Sequence, residues 1–155
     1  LYYTRQYDAA AQHLRALTDL NPKFALTHLW LGRTFQQQHR FDEARQEYAL
    51  VERALPDWPV AIAASASVEG WAGRRDDVRR ELKRLRELSQ RRYVTPYAFA
   101  LAYAALDERE EALSWLKRGV EDRTPWMVWL KLDPRWGTLA TDPRFVHIVG
   151  EVGLP

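Results

Sequence analysis

The sequence predicts an all-α protein: a solenoid of antiparallel helix pairs, about three and a half of them, closed by a short helical C-terminal cap. Three observations predict it. Apolar residues recur at steps of three and four, as in Tyr7, Ala10, Leu14 and Leu17 or in Phe41, Ala44, Tyr48 and Val51, each set forming one face of a helix. Breaks fall at Asn21-Pro22, Leu55-Pro56, Trp58-Pro59, Thr95-Pro96 and Thr124-Pro125, where proline ends one helix or takes the first turn of the next. The third observation is a fixed period of 34 residues. Stepping by 34 from Ala44 reaches Ala10, Val78 and Ala112; from Tyr48 it reaches Leu14, Leu82 and Leu116; from Val51, Leu17, Leu85 and Gly119. Eleven of those twelve positions are apolar and the twelfth is glycine, the regularity of helix pairs that bury their apolar faces only by stacking on a neighbour. No stretch alternates with the period of two that a strand requires.

The pattern places helices near 7–20, 25–38, 41–54, 59–73, 75–89, 96–106 and 108–123, joined by loops short enough to make neighbours antiparallel. They group into a partial unit, 1–22, and three whole ones, 23–56, 57–90 and 91–123. Asp8, Asp42, Asp76 and Glu110 open their helices, where the positive end of the dipole favours an acid. Small residues at Gly32, Ala66 and Ala100, facing Ala10, Ala44, Val78 and Ala112, allow close helix approach, while Tyr48, Leu82 and Leu116 fill the space between pairs. The pattern has faults: Glu69 stands where Phe35 and Tyr103 are aromatic, and Arg75 and Arg109 replace the rings of Tyr7 and Phe41. Residues 124–155 leave the period. There "LDPRW" and "TDPRF" each set an acid before proline and then a ring, the order of a cap, a first-turn proline and a buried aromatic, so two short helices are expected. With Trp126, Trp129, Trp136 and Phe145 the segment is too apolar to hang free. It either caps the last repeat or folds into the groove as an internal ligand; capping is the expectation, because a terminal repeat has an apolar face to cover.

The stretch "LWLGRTFQQQHRFDEARQEYALVERALP", Leu29 to Pro56, resembles the tetratricopeptide repeat: Leu31-Gly32, Phe35, Ala44, Tyr48 and Pro56 fall at that family's offsets. The resemblance covers roughly residues 5–123 and implies a right-handed superhelix that acts as a non-catalytic protein-binding scaffold. From Tyr93 onward the chain looks like the carboxyl-terminal end of bacterial signalling and regulatory proteins that carry such repeats behind another domain. Leu1 in place of methionine fits a piece of a longer chain.

Composition narrows the alternatives. With 155 residues and 46% apolar content the chain can bury a core, and no apolar run approaches a membrane span. The absence of cysteine excludes disulfides and thiolate chemistry and suits a reducing, cytoplasmic setting. His13, His28, His39 and His147 have no zinc-helix spacing, the serines sit in no hydrolase motif, and no glycine-rich phosphate loop follows a strand. No catalytic residue, metal or cofactor is therefore assigned.

Two surfaces remain for a partner. In stacked helix pairs the first helices line the concave side, which assigns a groove to Leu26, Leu29, Arg33, Gln36 and Gln37, then Val60, Ala63, Ser67 and Trp71, then Val94, Tyr97 and Leu101. A protein or peptide partner is expected there, anchored by Trp71 and Tyr97; the alternative is that these residues only pack against neighbouring helices. Residues 74–92 carry nine cations against four acids, with Arg75, Arg79, Lys83 and Arg86 along one helix side. This face is either solvated and laced by pairs such as Asp76 with Arg80, the favoured reading, or a nucleic-acid-binding track. Finally, the first helix lacks an inner partner, so a homodimer through Ala10, Leu14, Leu17 and Leu20 is expected, or else Leu1, Tyr2 and Tyr3 fold back over that face.

Overall fold

The computed structural model describes residues 1–153, and within them the chain is helical with no strand. Leu154 and Pro155, the end of the expected cap, lie outside the described residues. The helices are α1 (Tyr7–Leu20), α2 (Ala25–Gln37), α3 (Phe41–Ala54), α4 (Pro59–Trp71), α5 (Arg75–Ser89), α6 (Pro96–Ala105), α7 (Arg109–Glu121) and α8 (Pro143–Glu151), with 3-10 segments at Pro125–Trp129 and Pro134–Thr141. Each of α1 to α7 packs on the next, and α4 also packs on α6, so successive pairs stack as a solenoid.

The small-against-large pattern is what lets the pairs close. A Cβ added at Gly32 would sit 2.5 Å from Cε1 of Tyr48, so the α2 backbone lies directly on that ring. Tyr48 is 1% exposed, its hydroxyl donates to Oε1 of Gln36 at 3.2 Å, and burial pushes its pKa up to about 12. Ala44, Val78 and Ala112 are fully buried at the equivalent positions. The fault at Glu69 is matched by its neighbours: Nε of Arg45 donates to its carboxylate at 2.8 Å. At Arg109, in place of a ring, the guanidinium donates to Oγ1 of Thr138 at 2.8 Å and ties α7 to the C-terminal segment.

A second expression of the period lies in the backbone. Arg5, His39, Gly73 and Asp107, each 34 residues after the last, all adopt positive φ, at 60°, 59°, 77° and 57°. Each lies two residues before the helix that follows, and His39, Gly73 and Asp107 also end the helix before it. The amide after three of them bonds back to the preceding helix, Arg40 to Phe35, Arg74 to Glu69 and Glu108 to Tyr103. These turns explain why α2, α4 and α6 end one or two residues before the expected limits.

Two predictions follow from this geometry. Gly73→Ala meets no atom within 4 Å, so its effect is backbone strain alone, and denaturant unfolding should register a loss of about 1 kcal/mol. Tyr48→Ala should cost about 3–5 kcal/mol; an unchanged unfolding midpoint would place the ring outside the core.

Candidate functional site

The candidate site lies between α2, α4 and α6, where the C-terminal segment closes it. Thr95, whose side chain accepts from the Tyr97 amide, starts α6 and aims Tyr97 inward. Val60 and Ala63 of α4, Ala98 and Leu101 of α6, and Arg33 of α2 complete the wall, and Trp126 and Arg135 of the C-terminal segment close it. Trp126 packs against both hydrophobic clusters, one built around Leu29, Phe35 and Tyr48, the other around Leu82, Leu101 and Leu116. The Tyr97 hydroxyl donates to Oδ2 of Asp133 at 2.7 Å, and the Tyr97 ring meets Trp136 edge-on at 5.1 Å. From the other end of the chain, Tyr3 stacks on Trp129 at 5.1 Å, and Tyr2 is buried against Trp30.

The segment's local chemistry is largely as the sequence predicts. Asp133 and Asp142 each accept from the amide two residues on, at 3.1 and 2.9 Å, and so cap the helical turns that follow. Trp136 and Phe145 are buried. Different parts of the segment have different neighbours. The Pro134–Thr141 segment packs on α6 and α8 packs on α7, while Trp126 and Arg135 line the cavity and Asp133 accepts from Tyr97.

The electrostatics centre on Asp133. Burial alone would raise its pKa, but the charge of Arg135, the Arg135 hydrogen bonds, the charge of Arg33 and the Tyr97 hydroxyl outweigh it and hold the carboxyl down at about 2. Nε of Arg135 donates to Oδ1 at 2.8 Å. Burial also lowers the pKa of Arg33, against which Asp133 is the one carboxylate among the acting groups.

The groove residues assigned from sequence differ in burial. Leu29 belongs to the core rather than to an open surface. Gln36 and Ser67 are buried within the helix interface, where Nε2 of Gln36 donates to Oγ of Ser67 at 2.8 Å. Val60, Ala63, Val94, Tyr97 and Leu101 are likewise buried, Leu26 is exposed and Gln37 is half-buried. Trp71 neighbours His39, with ring centres 6.0 Å apart, whereas Tyr97 neighbours Trp126 and Trp136. Sequence reasoning missed Arg135 and Asp133 as groove residues; the signal was a charged pair set among four aromatic residues.

On the basic face, Arg79 pairs with Asp76 at 3.2 Å, Arg80 with Asp77, and Lys83 with Glu87 at 3.8 Å. The pairing thus uses Asp76 with Arg79 rather than the expected Asp76 with Arg80, because the i,i+3 reach brings those side chains together. Arg86 donates to the Tyr103 hydroxyl at 2.6 Å, and Arg75 lies in the exposed first turn of α5. His28 is buried, its ring nitrogens facing the Glu47 carboxylate at 2.6 Å and the Pro22 carbonyl at 2.8 Å, which fixes the start of α2 on α3. Among the described residues no group of three or more acids and histidines is placed to hold a metal, and no helix is long and apolar enough to cross a membrane.

The groove's buried pair makes a pH-dependent prediction. Because the folded-state pKa of Asp133, about 2, lies below its unfolded value of about 3.9, the carboxylate contributes stability that is fully present above about pH 4 and is lost as pH falls through about 2. Asp133→Asn should cost about 3–5 kcal/mol at pH 7, since it leaves Arg135 buried without its partner, and should flatten the acid limb of a stability–pH curve in that window. An unaltered acid limb would contradict this account.

Comparison with known proteins agrees with the packing. Residues 1–68 match the family model described as tetratricopeptide repeat. No curated protein matches the chain. Residues 1–68 are thus similar in sequence to tetratricopeptide repeats, and the left-handed turn at Asp107, on the same 34-residue step, continues the helix-pair packing on to α7.

Proposed function

We propose that the chain is a protein-interaction module whose concave groove takes a segment folded in short helical turns that carries an aromatic residue and an acid. Tetratricopeptide repeats generally mediate protein–protein interaction, and the observation that supports this particular reading is the Tyr97–Asp133 hydrogen bond beneath Trp126. The groove already holds one such segment, residues 124–136 of its own chain. A partner peptide of similar chemistry competes with it, and internal occupancy lowers the apparent affinity by the fraction of molecules in which the groove is open.

The test uses a labelled peptide with the sequence of residues 124–136 and fluorescence anisotropy. A Trp126→Ala, Asp133→Ala variant, its helicity checked by circular dichroism, should bind the peptide about tenfold or more tighter than the unmodified chain. A folded variant that binds the peptide no better would mean that the groove is core alone.

The edge of α1 supports a further, separate contact. Leu17 is 50% and Leu20 83% exposed, while Tyr2 and Tyr3 pack toward Trp30 and leave them uncovered. A second copy of the chain is the proposed cover. Sedimentation at micromolar concentration should find a dimer that Leu17→Glu with Leu20→Glu dissociates, and a monomer throughout would contradict it.

A further inference from the structure

The loop between α5 and α6 carries Tyr93, a ring that is 68% exposed. Two surface depressions have Tyr93 and Arg92 as common wall residues and so adjoin. One is completed by the α3–α4 loop through Leu55, Pro56 and Trp58, the other by Phe99, Trp115 and Arg118 of α6 and α7. Neither shares a wall residue with the concave cavity. The second measures about 220 Å3, room for a side chain, where the concave cavity has room for one water.

An exposed ring that turns freely must be ordered before it can bind, and that ordering opposes association. Here the surroundings have already fixed it. The Tyr93 hydroxyl shares a hydrogen bond with Oγ1 of Thr124 at 2.8 Å, and Thr124 is buried. The Arg92 guanidinium donates to the Asp57 carbonyl and ties the two loops together. Trp115 is stacked on Phe99 with ring centres 4.2 Å apart, and the Arg118 guanidinium lies over it at 5.3 Å. Both depressions are therefore preformed, with rigid aromatic walls.

We propose that this edge docks a proline-rich segment in the polyproline II conformation, with an acidic residue beside its prolines. Such a segment has three residues per turn and no internal hydrogen bonds, and it binds by seating proline rings against aromatic side chains. Adjoining aromatic depressions that share one fixed ring suit successive turns of it, whereas a helical partner requires one continuous apolar groove. Partner addition to a sheet edge requires a strand, and the described residues contain none. Charge selects the flank. Arg92 and Arg118 are the wall cations, and Asp122, the one wall acid, is engaged by Arg118 at 3.7 Å, which leaves Arg92 to meet an acid of the partner. Two cations and an acid make a poor track for phosphates, so a nucleic acid is disfavoured.

Fluorescence anisotropy on the intact chain tests it, with a labelled peptide of two glutamates followed by repeated Pro-Pro-Ala. Saturable binding is expected, weakened about tenfold by Tyr93→Ala and likewise by Leu55→Glu, which sets a charge at an exposed wall position, with helicity unchanged by circular dichroism. Lysines in place of the two glutamates should weaken binding to a similar degree. An excess of unlabelled peptide 124–136 should leave binding unchanged, and displacement would place the peptide in the concave groove and overturn the proposal. The absence of saturable binding would overturn it too, as would equal binding by the edge variants and the unmodified chain, or tighter binding of single-stranded oligothymidine than of the peptide. Should Tyr93→Ala fail to fold, Leu55→Glu decides in the same way.

Discussion

The hydrogen bond from Tyr97 to Asp133 joins the two parts of this molecule, the repeat array and the segment that follows it. Thirty-six residues separate the partners, and neither tolerates burial alone. Without Asp133 the Tyr97 hydroxyl and the Arg135 guanidinium lose their acceptor; without Arg135 the carboxylate is a bare charge in an apolar wall. The cluster is satisfied only when α6 and the C-terminal segment are in register, so polar chemistry selects one arrangement where apolar contact alone would accept several. Trp126 then bridges the two apolar clusters, and the solenoid gains a continuous interior.

This arrangement covers the inner faces of α4 and α6. In an open array the first helices of each pair present their inner faces to solvent and to partners. Here Val60, Ala63, Tyr97 and Leu101 are covered, while the α1 edge and the paired charges of α5 are exposed. Under the proposed function, Trp126 and Asp133 model the chemistry of a partner segment, and partner binding and retention of the chain's own segment are opposing terms of one equilibrium.

How much was legible in the sequence follows from the range of each interaction. Helix positions were readable because steps of three and four and proline breaks are local, and the 34-residue period because every pair repeats the same contact, as Gly32 against Tyr48 shows. The caps at Asp133 and Asp142 were readable for the same reason. The left-handed turns were hidden because Arg5, His39, Gly73 and Asp107 share no side-chain chemistry, only a backbone conformation. The meeting of Arg33 with Asp133 and Arg135, across about a hundred residues, leaves no periodic trace at all. Glu69 lies between these cases: its departure from the aromatic pattern was visible, but its partner Arg45 was not.

The most direct measurement of the central claim is amide hydrogen exchange along the C-terminal segment. The amides of Leu130, Leu132 and Asp133 donate to the carbonyls of Met127 and Trp129, in a segment packed into the groove. If that segment is part of the folded core, these amides exchange as slowly as those of α6, through the same cooperative opening. Exchange at unfolded-chain rates while α6 stays protected would show that the groove stands open and would contradict the account.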